Sequence, residues 1–233
     1  MLAAAFGGLG VACAALAYGV RSPRSSWIAP SVYRGCRDRR SVALTFDDGP
    51  SESTPRVVEI LERYRVPATF FLCGANVLRL PSIARSLSSA GHQIGNHTYS
   101  HAALQFRSPD AIYRELVDAQ RVIEDECGVT PRLFRAPFGI RWFGLRSAQR
   151  RLGLTGVMWS VIGLDWKWPG RRVARRLLNR SSPGAIICLH DGRGVRPDPD
   201  ISATVEALER AIPQWIDRGF QFETVTQILC KTS

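Results

Sequence analysis

With 233 residues, 45% of them apolar and 22% charged, the chain is long enough for one substantial domain and is no disordered, collagenous or coiled-coil protein. The formal net charge is +11, and residues 132–180 alone equal that excess, with eleven Arg and Lys167 against Asp165. No nucleic-acid-binding motif accompanies the arginines, so the charge points to an anionic substrate or membrane surface and not to nucleic acid as a partner.

The N-terminus differs in kind from the rest. Residues 2–20 carry no charge, about the length that crosses a bilayer as a helix, although many of them are Ala or Gly. Residues 1–24 are therefore expected to anchor the protein at a membrane. A cleaved signal is the alternative, because Ala15-Leu16-Ala17 resembles a small-residue cleavage site, and a buried helix is the plain one. Arg21, Arg24 and Arg34 follow the segment and would hold the domain on the cytoplasmic side, so the envelope face and the cytoplasmic face both remain open. Residues 25–40 read as a basic linker and residues 41–233 as the folded domain. The six cysteines, at 13, 36, 73, 127, 188 and 230, form no C-x-x-C pair. They read as isolated buried thiols, not as a zinc cage or a disulfide scaffold.

From residue 41 onward short β-rich runs alternate with helical patterns. Strands are expected at 41–46, 68–72, 154–161, 185–189 and 220–225, with weaker ones at 92–95 and 133–134. Thr54 as N-cap with Pro55 behind it opens a helix bearing Val57, Ile60, Leu61 and Tyr64 on one face. Ser108-Pro109 opens a second, with Ile112, Leu116, Ala119 and Ile123 in register and Gly128 at its end. A third, over 202–217, is interrupted by Pro213 and closed by Gly219. About seven strands with intervening helices suit an α/β fold, an irregular (β/α) barrel in a single domain, with an open doubly wound sheet as the alternative. Either fold gathers its functional groups at the C-terminal ends of the strands.

Three clusters stand at such ends. Asp47-Asp48 closes the first strand before Gly49-Pro50, and two adjacent carboxylates raise each other's pKa unless a cation or a donor separates them. The Gly-Pro turn lets the side chains diverge, one toward a metal and one toward a substrate, although Asp-Asp-Gly-Pro is also ordinary turn chemistry. His97 and His101 are four apart, so on helical backbone both imidazoles could ligate one ion. His190 ends the run Ile186-Ile187-Cys188-Leu189 beside Asp191, where a carboxylate partner would raise its pKa and suit it to donate a proton. Of four histidines only His92 lies outside these clusters, and Cys188 reads as packing within a strand.

Together these residues resemble the polysaccharide deacetylase family, carbohydrate esterase family 4 or the NodB-homology domain, over residues 41–229. Thr45-Phe46-Asp47-Asp48-Gly49-Pro50, His97-Thr98-x-x-His101, Arg135-Ala136-Pro137-Phe138, Asp165-Trp166 and Ile187-Cys188-Leu189-His190-Asp191 match its five motifs in order. The resemblance implies a metal-dependent hydrolase that removes N-acetyl groups from N-acetylhexosamine units of a glycan such as peptidoglycan or chitin oligomers. It implies Asp48, His97 and His101 as ligands of a divalent metal, zinc first with cobalt or nickel as alternatives, Asp47 as general base and His190 as general acid. It further implies that the Phe138 N–H steadies the oxyanion, that Arg135 and Asp165 set the charge state of the catalytic pair, that Pro137 belongs to the same loop, and that Trp166 and Leu189 line the acetyl pocket. The fourth motif usually begins with another Asp where this chain has Ile162. Rival readings are an O-acetyl esterase on the same site and a non-catalytic carbohydrate-binding domain.

Overall fold

The run Ser41–Gly49 is buried at every position, which a strand reaches only when both of its faces are covered. The computed structural model describes residues 2–229 and builds the domain around this strand. In chain order the first half holds α1 (Leu2–Arg21), β1 (Ser31–Val32), β2 (Ser41–Gly49), α2 (Thr54–Arg63), β3 (Ala68–Leu72), α3 (Gly74–Arg79), α4 (Pro81–Ser89), β4 (Gln93–Asn96), α5 (Pro109–Cys127) and β5 (Leu133–Phe134). The second half holds α6 (Leu145–Leu152), β6 (Thr155–Val157), β7 (Val161–Ile162), α7 (Gly170–Arg180), β8 (Ala185–His190), α8 (Ser202–Asp217), β9 (Gln221–Phe222) and α9 (Val225–Ile228).

All paired strands are parallel, in the order β1-β6-β5-β4-β3-β2-β8-β7, with β9 beside β2. The two ends of that order meet. β1 pairs with β6, and two residues later Arg34 bridges Ala185 on β8, so one short segment crosses the seam and curls the sheet into the expected irregular barrel. The single strand expected over 154–161 is two strands for the same reason. After β6 the chain leaves that side of the seam, with Met158 N–H bonding Val32 O at 2.7 Å and Ser160 N–H bonding Ile186 O at 3.0 Å, and resumes as β7 beside β8.

Alternation along β2 sorts the layers. Val42, Leu44 and Phe46 face outward into the main core, packed with Val57, Leu61, Val173, Leu177, Leu208 and Trp215 from the surrounding helices. Ala43 faces the barrel interior with Phe71, Val157 and Ile186, and α9 closes the floor through Val225 and Ile228. By the same alternation Thr45 and Asp47 point inward.

Several local expectations change on inspection. Thr54 is the first residue of α2 and not its cap, because its hydroxyl is turned to the Asp191 carboxylate at 2.6 Å. α8 continues through Pro213, since the buried stripe Leu208, Ala211, Ile212 and Trp215 outweighs a proline cost of about 3 kcal/mol. α7 escapes a periodicity reading because its Arg-rich sequence hides a short buried stripe, Val173, Ala174, Leu177 and Leu178.

Residues 25–40, expected as a linker, are strapped to the domain. Arg141 donates to the carbonyls of Ser22 and Ser25, Arg146 to those of Ser26 and Trp27, and Gln149 to that of Pro30. Further along, Arg39 forms a two-pronged pair with Glu223 at 2.8 Å for each contact. Cys36 is disulfide-bonded, against the expectation of isolated thiols, whereas Cys13, Cys73, Cys127 and Cys188 are free. Cys230 lies outside the described residues. Residues 2–20 are helical within α1, but among the described residues no helix is long and apolar enough to cross a membrane.

Candidate active site

β2 and β8 lie side by side in a register that places Asp47 opposite His190. The two groups expected to move protons therefore end adjacent strands at the C-terminal face of the barrel. Gly49 is required at the turn that follows, because a Cβ there would stand 2.3 Å from an Asp191 oxygen. At Asp48 the backbone turns left-handed, φ +75, and this reversal separates the two carboxylates.

Each carboxylate finds its own set of partners, which separates the two neighbours. Asp47 Oδ1 accepts from Arg135 Nη1 at 2.6 Å, and its Oδ2 lies 3.5 Å from the Cys188 thiol. Arg135 is fully buried and donates four hydrogen bonds. It donates to Thr45 Oγ1 at 2.7 Å and to the carbonyls of Val157 and Met158 at 3.2 Å each, with its guanidinium 4.2 Å above the Phe71 ring.

Asp48 Oδ1 lies 2.9 Å from His101 Nε2 and 3.3 Å from His97 Nε2, while its Oδ2 accepts from Gly194 N–H at 2.8 Å. Burial alone would raise this carboxyl, but the hydrogen bonds from His101 and His97, with the positive charge of His190, hold it well below the usual range. His97 Nδ1 is engaged by the Arg135 carbonyl at 2.8 Å, which leaves Nε2 to face Asp48 and His101. The three ligand atoms lie within 4.8 Å of one another and could hold a metal ion. One carboxylate and two imidazoles whose Nε2 atoms converge on it fit a borderline divalent metal with positions left open.

The histidine pair converges without a helix. Residues 97–101 form a loop in which Thr98 (φ +69) and His101 (φ +56) are left-handed. Asn96 fixes it by accepting from Thr98 N–H, and Glu115 of α5 accepts from the amide and hydroxyl of Ser100. Strain at named positions thus replaces the helical face that the spacing suggested.

His190 is partnered by Asp165 and not by its neighbour Asp191. Its Nδ1 lies 3.0 Å from Asp165 Oδ1, and its backbone N–H donates to Asp165 Oδ2 at 2.9 Å. Thr204 of α8 donates to the same Oδ2 at 2.7 Å, a contact with no signal in the sequence. Burial would lower the His190 pKa, yet Asp165, by charge and hydrogen bond, pushes it up to about 9, with Asp48 and Asp47 adding to the effect. Asp191 instead carries a buried carboxyl that desolvation pushes up to about 7, with Thr54 donating to one oxygen.

The outer residues divide. Phe138 sits at φ +58 in the turn opened by Pro137, its ring edge-on to His101 at 4.8 Å, and Trp166 stands edge-on to His190 at 5.0 Å. Both are exposed at the mouth. Leu189, expected to line the acetyl pocket, has no exposed surface and packs in the outer core, because alternation along β8 turns it away from His190. Cys188 is on the interior face in its place. Asp47, Cys188 and His190 form a second set of grouped ligand-type atoms. His92 is a buried core histidine against Phe70 at 5.2 Å, and burial lowers its pKa.

Comparison with known proteins shows which family the chain resembles in sequence and fold. Residues 34–157 match the family model described as polysaccharide deacetylase. A chitooligosaccharide deacetylase of Bradyrhizobium sp. is 38% identical over 198 residues, covering 81% of this chain and 90% of the relative. A peptidoglycan-N-acetylglucosamine deacetylase of Bacillus cereus is 32% identical over 210 residues, covering 86% of this chain and 73% of the relative. Among solved structures, a peptidoglycan N-acetylglucosamine deacetylase superposes with a TM-score of 0.79 at 33% identity, over 84% of this chain and 91% of that one. A pseudoenzyme of the same family from Bacillus anthracis also superposes at 0.79, with 30% identity, over 88% of this chain and 70% of that one.

Proposed function

Because the chain belongs to the polysaccharide deacetylase family, we propose that it is a metal-dependent N-deacetylase of N-acetylglucosamine-containing glycans, with zinc held by Asp48, His97 and His101. The observation that carries this reading is the opposition of Asp47 and His190 beside that triad, each held by a different partner. When bound, the ion supplies polarisation of the acetamide carbonyl and a water of lowered pKa. Asp47, steadied by Arg135, accepts the proton of the attacking water. The Phe138 N–H is assigned to the developing oxyanion. His190, held protonated by Asp165, gives its proton to the departing sugar nitrogen, so acetate and a free amine leave. An amide needs that proton more than an ester does, and His190, pushed up to about 9 chiefly by Asp165, can supply it.

Both named relatives act on glucosamine-based glycans by their descriptions, and chitin oligomers and peptidoglycan are the substrates to try. The likeness to a pseudoenzyme means that the fold does not by itself carry catalysis, so the assignment stands on the residues. The disulfide at Cys36 favours an oxidising compartment, outside the cytoplasm, as the place of work. Acetate release from chitin oligomers and from peptidoglycan, measured with and without added divalent metal beside Asp47→Asn, tests the proposal. Metal-dependent release that the variant loses is expected. Folded, metal-loaded protein that releases none from either glycan would overturn the reading.

A further inference from the structure

Two neighbouring loops leave the face that carries the site, residues 97–108 between β4 and α5 and residues 135–144 between β5 and α6. They meet through rings at two places. Phe138 touches the ligand His101, and farther out Phe106 lies 5.0 Å from Trp142, which in turn lies 5.2 Å from Phe143. Two of the outer three rings bury little, for Phe106 is 85% and Phe143 is 55% exposed, while Trp142 packs partly on the core. Phe106 also sits at φ +62, a left-handed backbone that a bulky residue adopts only at a cost. Neither core packing nor loop stability accounts for a large aromatic side chain held there in water.

The loop beneath is braced. Arg141, between Phe138 and Trp142, turns inward, is buried, and reaches the carbonyls of Ser22 and Ser25, while its own N–H bonds Val20 O at 3.1 Å. Gly144 at φ +92 packs so closely on Pro109 that a Cβ would stand 2.8 Å from it. With Arg141 fixed inward, Trp142 and Phe143 are held at the surface.

We propose that Phe106, Trp142 and Phe143 form a stacking platform for the glycan beyond the unit being deacetylated, in which the exposed rings of Phe106 and Phe143 each offer a face to a pyranose and Trp142, at 59° and 71° to them, buttresses both. The inference rests on the deacetylase reading and extends it to chain length. A β-linked pyranose offers a flat face of C–H bonds with its hydroxyls at the rim, so it can cover an aromatic face while its polar edge stays in water. The same two loops carry His101, five residues before Phe106, and Phe138, four residues before Trp142, and this shared framework with the site selects the substrate's own chain as the occupant. The platform makes an oligosaccharide bind more tightly than a disaccharide.

Calorimetric binding of chitobiose and chitotetraose to Asp47→Asn protein, alone and combined with Phe106→Ala or Phe143→Ala, reads this without turnover. KM for acetate release from the same sugars in the otherwise native protein reads it again. Each alanine is expected to reduce the preference for the tetraose about tenfold, the effect of one lost aromatic face. Trp142 is partly buried, so Trp142→Phe serves there in place of alanine and should keep most of the preference. An unchanged preference in folded Phe106→Ala and Phe143→Ala proteins overturns the platform, including the case in which the patch serves a protein partner instead. If native protein binds the tetraose preferentially but releases no acetate from it, the deacetylase reading fails and the binding arm still decides the platform.

Discussion

Replacing Asp165 by Asn tests the acid half of the site most sharply. The substitution preserves shape and can keep the bonds from the His190 amide and Thr204, but it removes the charge that raises His190 to about 9. Without that charge His190 falls toward its ordinary value of about 6.5. The general acid must carry its proton to act, so activity is lost as pH rises through its pKa. At pH 8 a group of pKa about 9 is about nine-tenths protonated and one of about 6.5 is about 3% protonated, so the variant should lose roughly 30-fold in kcat at that pH. At about pH 5.5 both are mostly protonated, and the two enzymes should differ little from this cause. The assay is acetate release from a chitin oligomer across about pH 5 to about pH 10 with metal-loaded protein. A bound divalent ion lowers both basic limbs together, so their separation is the readout. Basic limbs at the same pH in the two proteins would refute the role of Asp165, and with it the assignment of His190 as the acid.

Three other outcomes follow from the same geometry. Asp48→Ala should lose bound metal and activity together, whereas Asp47→Asn should retain metal and lose turnover; metal analysis of the purified variants distinguishes them, and an empty Asp47→Asn protein would reverse the division of labour. Arg135→Met should lower unfolding stability by about 3–5 kcal/mol, since it strands a buried carboxylate and two carbonyls, and urea denaturation against the native chain would show it. Thiol titration of denatured protein should find Cys36 unreactive until a reductant is added, and immediate labelling of Cys36 would contradict the oxidised state.

The candidate site is legible in the sequence because its residue types are scarce and their positions follow strand ends. Three of four histidines and the Asp47-Asp48 pair mark the strand ends that the fold brings together. Their means of approach was not legible. The four-residue spacing of His97 and His101 suggested a helix, and the chain instead brings them together through left-handed turns at Thr98 and His101, whose cost is met by Asn96 and Glu115. The resemblance places Leu189 at the acetyl pocket, but sequence neighbours on a strand point to opposite faces, so the residue beside His190 packs in the core and Cys188 lies against Asp47. Partners distant in sequence, such as Thr204 for Asp165, leave no local pattern at all. The same limit concealed β1, whose two residues become a strand only because β6 is there to receive them.

Strapping of residues 22–30 bears on how the enzyme can meet a polymer. An enzyme tethered by a slack linker searches a volume set by the linker's length. Here the carbonyls of Ser22, Ser25, Ser26, Trp27 and Pro30 are each held by a side chain between Arg141 and Gln149, and the chain then enters the barrel wall at β1. Little slack remains between the end of α1 and the sheet. Were α1 held at a surface, the height and tilt of the catalytic mouth would be fixed with it, and a glycan strand would have to be brought to that mouth, because the mouth could not swing out to find it.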